Sequence, residues 1–478
     1  MTNHTYDIIV IGCGSAGLST GLFMNEVGLK VLMIAKSDQD IGGDCLNDGC
    51  VPSKAFIHVA KIAHNAKLAE NFGLKVNGSL DIKKAIEYVY GKQEIIRKHE
   101  NAAWLRTQGV DVELGGAHFT GRQEIEVEGI RHRGKKIVIA TGSRPRKLTV
   151  KGIEKVKYYD NESIFHIAEL PKRLLVVGGG PIGIEIAQAM SRLGSVVTVV
   201  HKGEIILEHD DQAVTKILLQ QLKEEGIKFL LNANLEHFSS GDTAEVKFQN
   251  DSREKIIFDA VFVGIGRDLN IENLGLEYAG VDIKDGKITV DDYLRTTNKN
   301  VFVCGDVAGS LQFSHAAEAH ARILLNNFFS PINKKLSNDN LSWVTFTDPE
   351  LATFGLSEKQ LKGKNISYLR LEQDFKDDDR AVVDSYEYGK MVLFISSKGF
   401  FKKQTILGGT MVAPNAGELI QELILANTKE LSLDSLFDKI YPYPVAGRIN
   451  QKAILEYKLR SFTGAIKRLL RIAYSILS

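Results

Sequence analysis

Cysteine is scarce in this sequence: four in 478 residues, at Cys13, Cys45, Cys50 and Cys304. Four are too few for a disulfide framework. A structural zinc site would want about four ligands, and no second cysteine pair accompanies Cys45 and Cys50. In a reducing compartment two close cysteines are more often catalytic than structural, and redox chemistry is favoured. An excess of one charge is also missing. The 60 Lys and Arg against 59 Asp and Glu leave +1, without the basic surplus that nucleic-acid binding produces. No apolar run reaches the ~18–20 residues that span a bilayer. Met1 to Asp7 lacks the basic region and long apolar stretch of a secretory signal. A cytoplasmic protein with no resident metal is expected, of about three domains at ~100–200 residues each.

What the chain does carry is a glycine turn, twice. Tyr6 to Ile11 is a short, nearly continuous apolar run, the pattern of a buried parallel strand. Gly12, Gly14 and Gly17 follow, then a helical pattern from Ala16 to Val27 and a second strand from Val31 to Ile34. In such a turn one glycine permits the bend, one lets the backbone reach a pyrophosphate, and one lets helix and strand pack closely. The phosphates then sit at a helix N-terminus, where free N–H groups and the dipole favour an anion. The unit recurs with a strand at Arg173 to Val177, a turn with Gly178, Gly180 and Gly183, a helix at Ile184 to Leu193 and a strand at Val196 to Val200. Two units imply two nucleotides. The acid that usually binds the ribose hydroxyls is Ala35 in the first unit and His201 in the second. His201 with Lys202 suits a 2′-phosphate, which favours NADPH and leaves NADH open.

Cys45 and Cys50 stand just after the first unit. In an ideal helix residues five apart are ~8–9 Å apart at Cα, beyond the ~4.4–6.8 Å of a disulfide. Asn47, Asp48 and Gly49 tolerate turn conformations and allow the segment to distort and close. A helix is expected from Ala55 to Ala69. Cys50 near its start, with Lys54 one turn on, is in the electropositive setting that lowers a thiol pKa.

Five stretches now stand in order: GCGSAG, GGDCLNDGCVPSK, ATG at Ala140 to Gly142, GGGPIGIE, and VFVCGD at Val301 to Asp306. Over nearly its whole length the chain resembles the pyridine nucleotide–disulfide oxidoreductases, class I, with dihydrolipoamide dehydrogenase and mercuric reductase among them. The resemblance implies an α/β fold: two Rossmann-like nucleotide-binding domains, the FAD domain interrupted by the NAD(P) domain, and a C-terminal α+β dimerisation domain. It gives 1–150 and 273–340 to FAD, 151–272 to NAD(P) and 341–456 to dimerisation; 457–478 read from their own spacing as a basic amphipathic helix. It implies FAD at Gly12, Gly14, Gly17, Thr141, Gly142, Gly305 and Asp306, and NADPH or NADH at Gly178, Gly180, Gly183, His201, Lys202 and Gly266. Cys50 would be the flavin-facing thiol and Cys45 the thiol that exchanges with substrate. Lys54 would pair with Glu185 near the flavin's reactive nitrogen. Electrons would pass from nicotinamide through FAD to the Cys45–Cys50 disulfide and on to an external disulfide or thiol acceptor. The substrate site of that family is built across a homodimer.

The chain departs from that family at its acid–base group. Disulfide-handling members carry a His–Pro motif with a following Glu, in which the His is general acid/base. Here Tyr443 and Arg448 hold those places. A tyrosine of ordinary pKa is a poor base at neutral pH; it can donate a proton or a hydrogen bond, or pack at the dimer interface. Mercuric reductases resemble the chain in that tyrosine but carry a C-terminal cysteine pair, and no cysteine follows Cys304. A metal ion or quinone is therefore an alternative acceptor. From Phe462 to Leu477, apolar residues recur at helical spacing, with Lys467, Arg468 and Arg471 off the stripe. Such a helix lies peripherally on an anionic membrane or docks on the protein's own dimer.

Overall fold

The computed structural model describes residues 4–309, 312–397, 403–460 and 462–477; Met1–Asn3, Ser461 and Ser478, at the edges of expected segments, lie outside them. The chain forms two compact units, Met1–Lys202 with Ile227–Ser337, and Gly203–Gly226 with Asn338–Ser478.

In the first unit, β1 (His4–Ile11), α1 (Ser15–Glu26) and β2 (Val31–Ala35) make the expected strand–turn–helix–strand. The two strands run parallel, Ile8 opposite Val31 through Ile11 opposite Ile34. Both lack the polar alternation of a one-sided strand because both faces are covered: Ile9, Val10, Leu32 and Met33 are fully buried. Beyond β2 lies Asp111–Leu114, and beyond β1 the ten-residue strand Ile130–Ile139. The far edge of that long strand is shared. Its first residues take an antiparallel flap, Glu124–Val127, and its last take Val301–Val303 in parallel. The chain thus leaves this sheet, builds a second one, and returns.

The second sheet is wholly parallel, in the order Lys228–Leu230, Val196–Val200, Arg173–Val177, Ala260–Val263, Tyr158–Tyr159. The helix Pro181–Leu193 connects its two central strands and starts three residues before the expected Ile184, with Pro181 in the first turn, where no N–H is required. Residues 203–226, in the middle of the stretch expected to bind NAD(P), group with the second unit.

The second unit is built on a five-stranded antiparallel sheet in the order Ser342–Thr345, Glu350–Gly355, Ile406–Ala413, Lys390–Ser396, Tyr368–Asp374. Its helices include Gln212–Glu224, Arg448–Arg460 and Gly464–Leu477. The last begins two residues after the expected Phe462. Among the described residues no helix is long and apolar enough to cross a membrane.

Candidate active site

The cysteine pair sits on two helices broken at the expected place. Cys45 lies in α2 (Gly43–Asn47), and Cys50 is the first residue of α3 (Cys50–Leu68). Asp48 (φ −136°, ψ 1°) and Gly49 (φ −121°, ψ −110°) form the break. A Cβ on Gly49 would come within 2.7 Å of Asp44 Oδ2 and 2.8 Å of its carbonyl oxygen, so glycine lets the chain fold back on itself. α3 begins five residues before the expected Ala55, because Pro52 falls in the first turn and needs no N–H. Cys50 therefore stands at a helix N-terminus whose donors have no side-chain cap.

Both thiols are free, Cys45 half-buried and Cys50 exposed. A hydrogen bond from Cys45 does most to push the Cys50 thiol down to about 6; the Ser314 hydroxyl, with Oγ 3.4 Å from Sγ, and the Lys54 charge assist against desolvation. The same interaction raises Cys45 far above the ordinary thiol range, burial adding to it. The pair therefore holds one proton on Cys45 and a thiolate on Cys50. Cys13 and Cys304 are core residues, pushed up to about 12 by burial, and stay inert. Nothing in the sequence pointed to Ser314, 264 residues beyond Cys50.

Lys54, one turn along α3, places Nζ 2.8 Å from Oε2 of Glu185 on the helix Pro181–Leu193. Glu185 is only 5% exposed, so this is not a pair of solvated surface charges. It ties the cysteine helix to the second glycine turn.

The glycine turns are close-packed where a side chain would obstruct them. A Cβ on Gly12 would lie 2.3 Å from the Ala140 carbonyl oxygen, and one on Gly17 1.9 Å from that of Gly12. Gly178 and Gly183 repeat this at 2.2 Å from Gly264 O and 2.4 Å from Gly178 O. Gly180 instead faces open space, and neither α1 nor Pro181–Leu193 has a side-chain N-cap. His201 follows its strand and accepts the Gly179 N–H at Nδ1, 3.2 Å away, with Nε2 buried. The imidazole is thus built into the turn, and Lys202 beside it is exposed.

Asp306 opens a short 3-10 turn after Val301–Val303. Its Oδ2 accepts from Ser143 Oγ at 2.5 Å; Arg267 donates from Nε to Ser143 Oγ (2.7 Å) and from Nη2 to Asp44 Oδ1 (2.9 Å). This chain of polar groups runs from the residue before Cys45 to Asp306, and its centre, Arg267, was not among the expected residues. Gly266 precedes it at φ +111°, and the Gly305 N–H donates to His320 Nδ1 at 3.2 Å. Thr141 gives its hydroxyl to the Asn270 carbonyl (2.6 Å), while Gly142 beside it has open space where a Cβ would point.

Tyr443 belongs to the second unit. It is exposed, its hydroxyl donates to Asp379 Oδ2 at 3.1 Å, and the Arg448 guanidinium lies 5.5 Å from the ring centre. The Asp379 carboxylate holds the phenol above its ordinary pKa, so at neutral pH Tyr443 is a hydrogen-bond donor rather than a base.

The family model described as pyridine nucleotide-disulphide oxidoreductase matches residues 6–321, and the model for that family's dimerisation domain matches 341–453. The chain belongs to this family. It is 31% identical over 447 residues to a mercuric reductase of Lysinibacillus sphaericus, covering 93% of this chain and 81% of that one. It is 34% identical over 451 residues to a dihydrolipoyl dehydrogenase of Thermus scotoductus, covering 92% and 95%. The solved structure of the HOCl-induced flavoprotein disulfide reductase RclA from Escherichia coli superposes with a TM-score of 0.82 at 25% identity, covering 94% of this chain and 99% of that one. This pyridine nucleotide-disulphide oxidoreductase is accordingly a flavoprotein disulfide oxidoreductase with a two-nucleotide α/β fold, and its dimerisation domain supports a homodimer. FAD and a nicotinamide are the family's cofactors. The first unit fits both: two glycine turns, each leading into a helix whose N-cap makes no side-chain hydrogen bond.

Proposed function

We propose that this oxidoreductase passes two electrons from NADPH or NADH through FAD onto the Cys45–Cys50 disulfide and then to an external disulfide. Bound FAD supplies the relay between hydride transfer and thiol chemistry. The observation that carries the reading is the placement of the pair: Cys50 opens α3 at an uncapped helix N-terminus with Ser314 Oγ 3.4 Å from its sulfur, and its hydrogen bond with Cys45 lowers the Cys50 thiol and raises that of Cys45. Two electrons and one proton cleave the Cys45–Cys50 bond, leaving the Cys45 thiol and the Cys50 thiolate. Cys45, losing its proton, attacks the acceptor disulfide and forms a mixed disulfide as one thiolate leaves. The Cys50 thiolate then attacks Cys45, re-forming the internal bond and expelling the second thiolate, which takes a proton from solvent. Lys54 and Glu185 would orient the flavin side, and Asp306, positioned by Ser143, would hold its ribitol chain. The first turn with Thr141, Gly142 and Gly305 would hold the rest of FAD, and the second turn with Gly266 and Lys202 the nicotinamide nucleotide. FAD would take residues 1–150 and 273–340 and the nicotinamide 151–272, in the reducing cytoplasm. The exchange thiol lacks the family's His–Glu dyad. Tyr443 would replace it as a proton donor to the departing thiolate.

The missing base favours a second reading, in which the dithiol reduces a soft metal ion. A thiolate binds such an ion without a general base. The mercuric reductase relatives and a Cu(II) complex of RclA, 25% identical to this chain, point the same way.

The deciding experiment is an anaerobic titration of the holoenzyme with NADPH, and separately with NADH, followed by absorbance. A long-wavelength charge-transfer band after two electrons, lost in Cys50→Ser, is the expected result. Bleaching of the flavin with no such band would overturn the proposal and leave quinones or dyes as acceptors. Turnover with disulfides against Hg(II) or Cu(II), each abolished in Cys45→Ser, then distinguishes the two acceptor classes.

A further inference from the structure

The C-terminal helix Gly464–Leu477 has no buried residue. At ~100° per residue, Ile466, Leu469, Leu470, Ile472, Ile476 and Leu477 fall in one arc of about 160°. The remaining arc holds Lys467, Arg468, Arg471 and Ser475, with Tyr474 at its edge. The apolar arc stands open: Leu469 is 66%, Ile476 76% and Leu477 88% exposed. Lys458 and Arg460 precede the helix, and no acidic residue follows Glu456. Those five bases leave 55 against 59 acids in the rest of the chain, so its positive charge is gathered at this end. Lys458 is paired with Asp434 and Arg460 lies 3.7 Å from Glu456. Among the described residues Lys467, Arg468 and Arg471 form no ion pair. The helix also lies beyond the matched dimerisation domain, which ends at residue 453.

We propose that Gly464–Leu477 seats the protein on an anionic lipid surface, its apolar arc among the acyl chains and its bases among the headgroups. An apolar face bordered by cations matches such a surface in both polarity and charge. Tyr474 at the boundary suits the headgroup level, where an aromatic ring with a polar tip is favoured. The length, under four turns, suits lying in the interface and falls short of crossing it. The protein would then reduce its acceptor at the membrane face. This inference does not depend on which acceptor is used.

The test is flotation of the full-chain holoenzyme with vesicles of phosphatidylcholine alone or mixed in equal parts with phosphatidylglycerol. Binding is expected to the mixed vesicles only, weakening as salt rises. Arg468→Gln with Arg471→Gln should lower the affinity roughly thirtyfold, at ~1 kcal/mol per basic residue. Ile472→Asp with Ile476→Asp should abolish binding, with flavin content and NAD(P)H:dye turnover unchanged in both variants. Failure to float with the mixed vesicles, or equal flotation with both kinds, would overturn the proposal. So would a change of oligomeric mass in the Ile472→Asp/Ile476→Asp variant with vesicle binding retained, because the helix would then be docking on protein.

Discussion

The acidity of Cys50 comes first from the Cys45 S–H, then from the Ser314 hydroxyl, and only after these from the Lys54 charge. Local donors thus outweigh the cation that the sequence made obvious. The sign of the pH dependence follows. The thiolate is present above about 6 and is lost as pH falls through that value, so the charge-transfer band of the reduced enzyme should fade with a midpoint near 6. Ser314→Ala removes a donor to the charged form. A hydrogen bond to a charged group is worth ~1.5–3 kcal/mol, and one pH unit corresponds to ~1.4 kcal/mol. The midpoint should therefore rise by roughly one to two units, with Ser314→Thr restoring it. An unshifted midpoint in Ser314→Ala would remove Ser314 from the account.

At the scale of elements, each glycine turn joins a strand to a helix so closely that a methyl group collides with backbone. Gly17→Ala would place Cβ 1.9 Å from Gly12 O, and Gly183→Ala 2.4 Å from Gly178 O. The two substitutions are alike in geometry and should differ in consequence. The Gly17→Ala protein should purify with little flavin. The Gly183→Ala protein should keep its flavin but lose reduction by NAD(P)H, while dithionite still reduces it. The flavin absorbance of the purified proteins and their anaerobic reduction check both. If Gly183→Ala lost flavin and Gly17→Ala kept it, the assignment of the two turns would be reversed. The same element logic explains the cysteine pair, where Gly49 breaks one helix and Cys50 starts another.

At the scale of the whole molecule, the dimerisation domain supports a homodimer. Tyr443 is a phenol bonded to Asp379, with Arg448 over its ring. Installing the missing dyad as Tyr443→His with Arg448→Glu should supply a general base, an effect of ~10²–10⁴-fold where fully formed. Dihydrolipoamide turnover by the double variant should rise at least tenfold, with reduction of the flavin by NAD(P)H unchanged. Steady-state assays of a variant shown by light scattering to remain dimeric would test this. No gain would mean that Tyr443 is not the counterpart of the family's base.

The sequence alone determined the two nucleotide turns and their strands, because a backbone that must touch backbone admits only glycine, and strands covered on both faces need continuous apolar runs. It also determined the cysteine pair, the break at Asp48 and Gly49, and the amphipathic tail, each a property of a few consecutive residues. Only the tertiary structure decided what lies beside them. Ser314 reaches Cys50 across 264 residues, Arg267 links Asp44 to Ser143 and so to Asp306, and residues 203–226 group away from the sheet whose strands they connect. His201, read from the sequence as a phosphate ligand, accepts the Gly179 N–H at Nδ1 within its own turn, a contact that only the structure supplies. Local backbone geometry is written in neighbouring residues; a side chain's partner depends on how distant segments pack, and no local pattern encodes that.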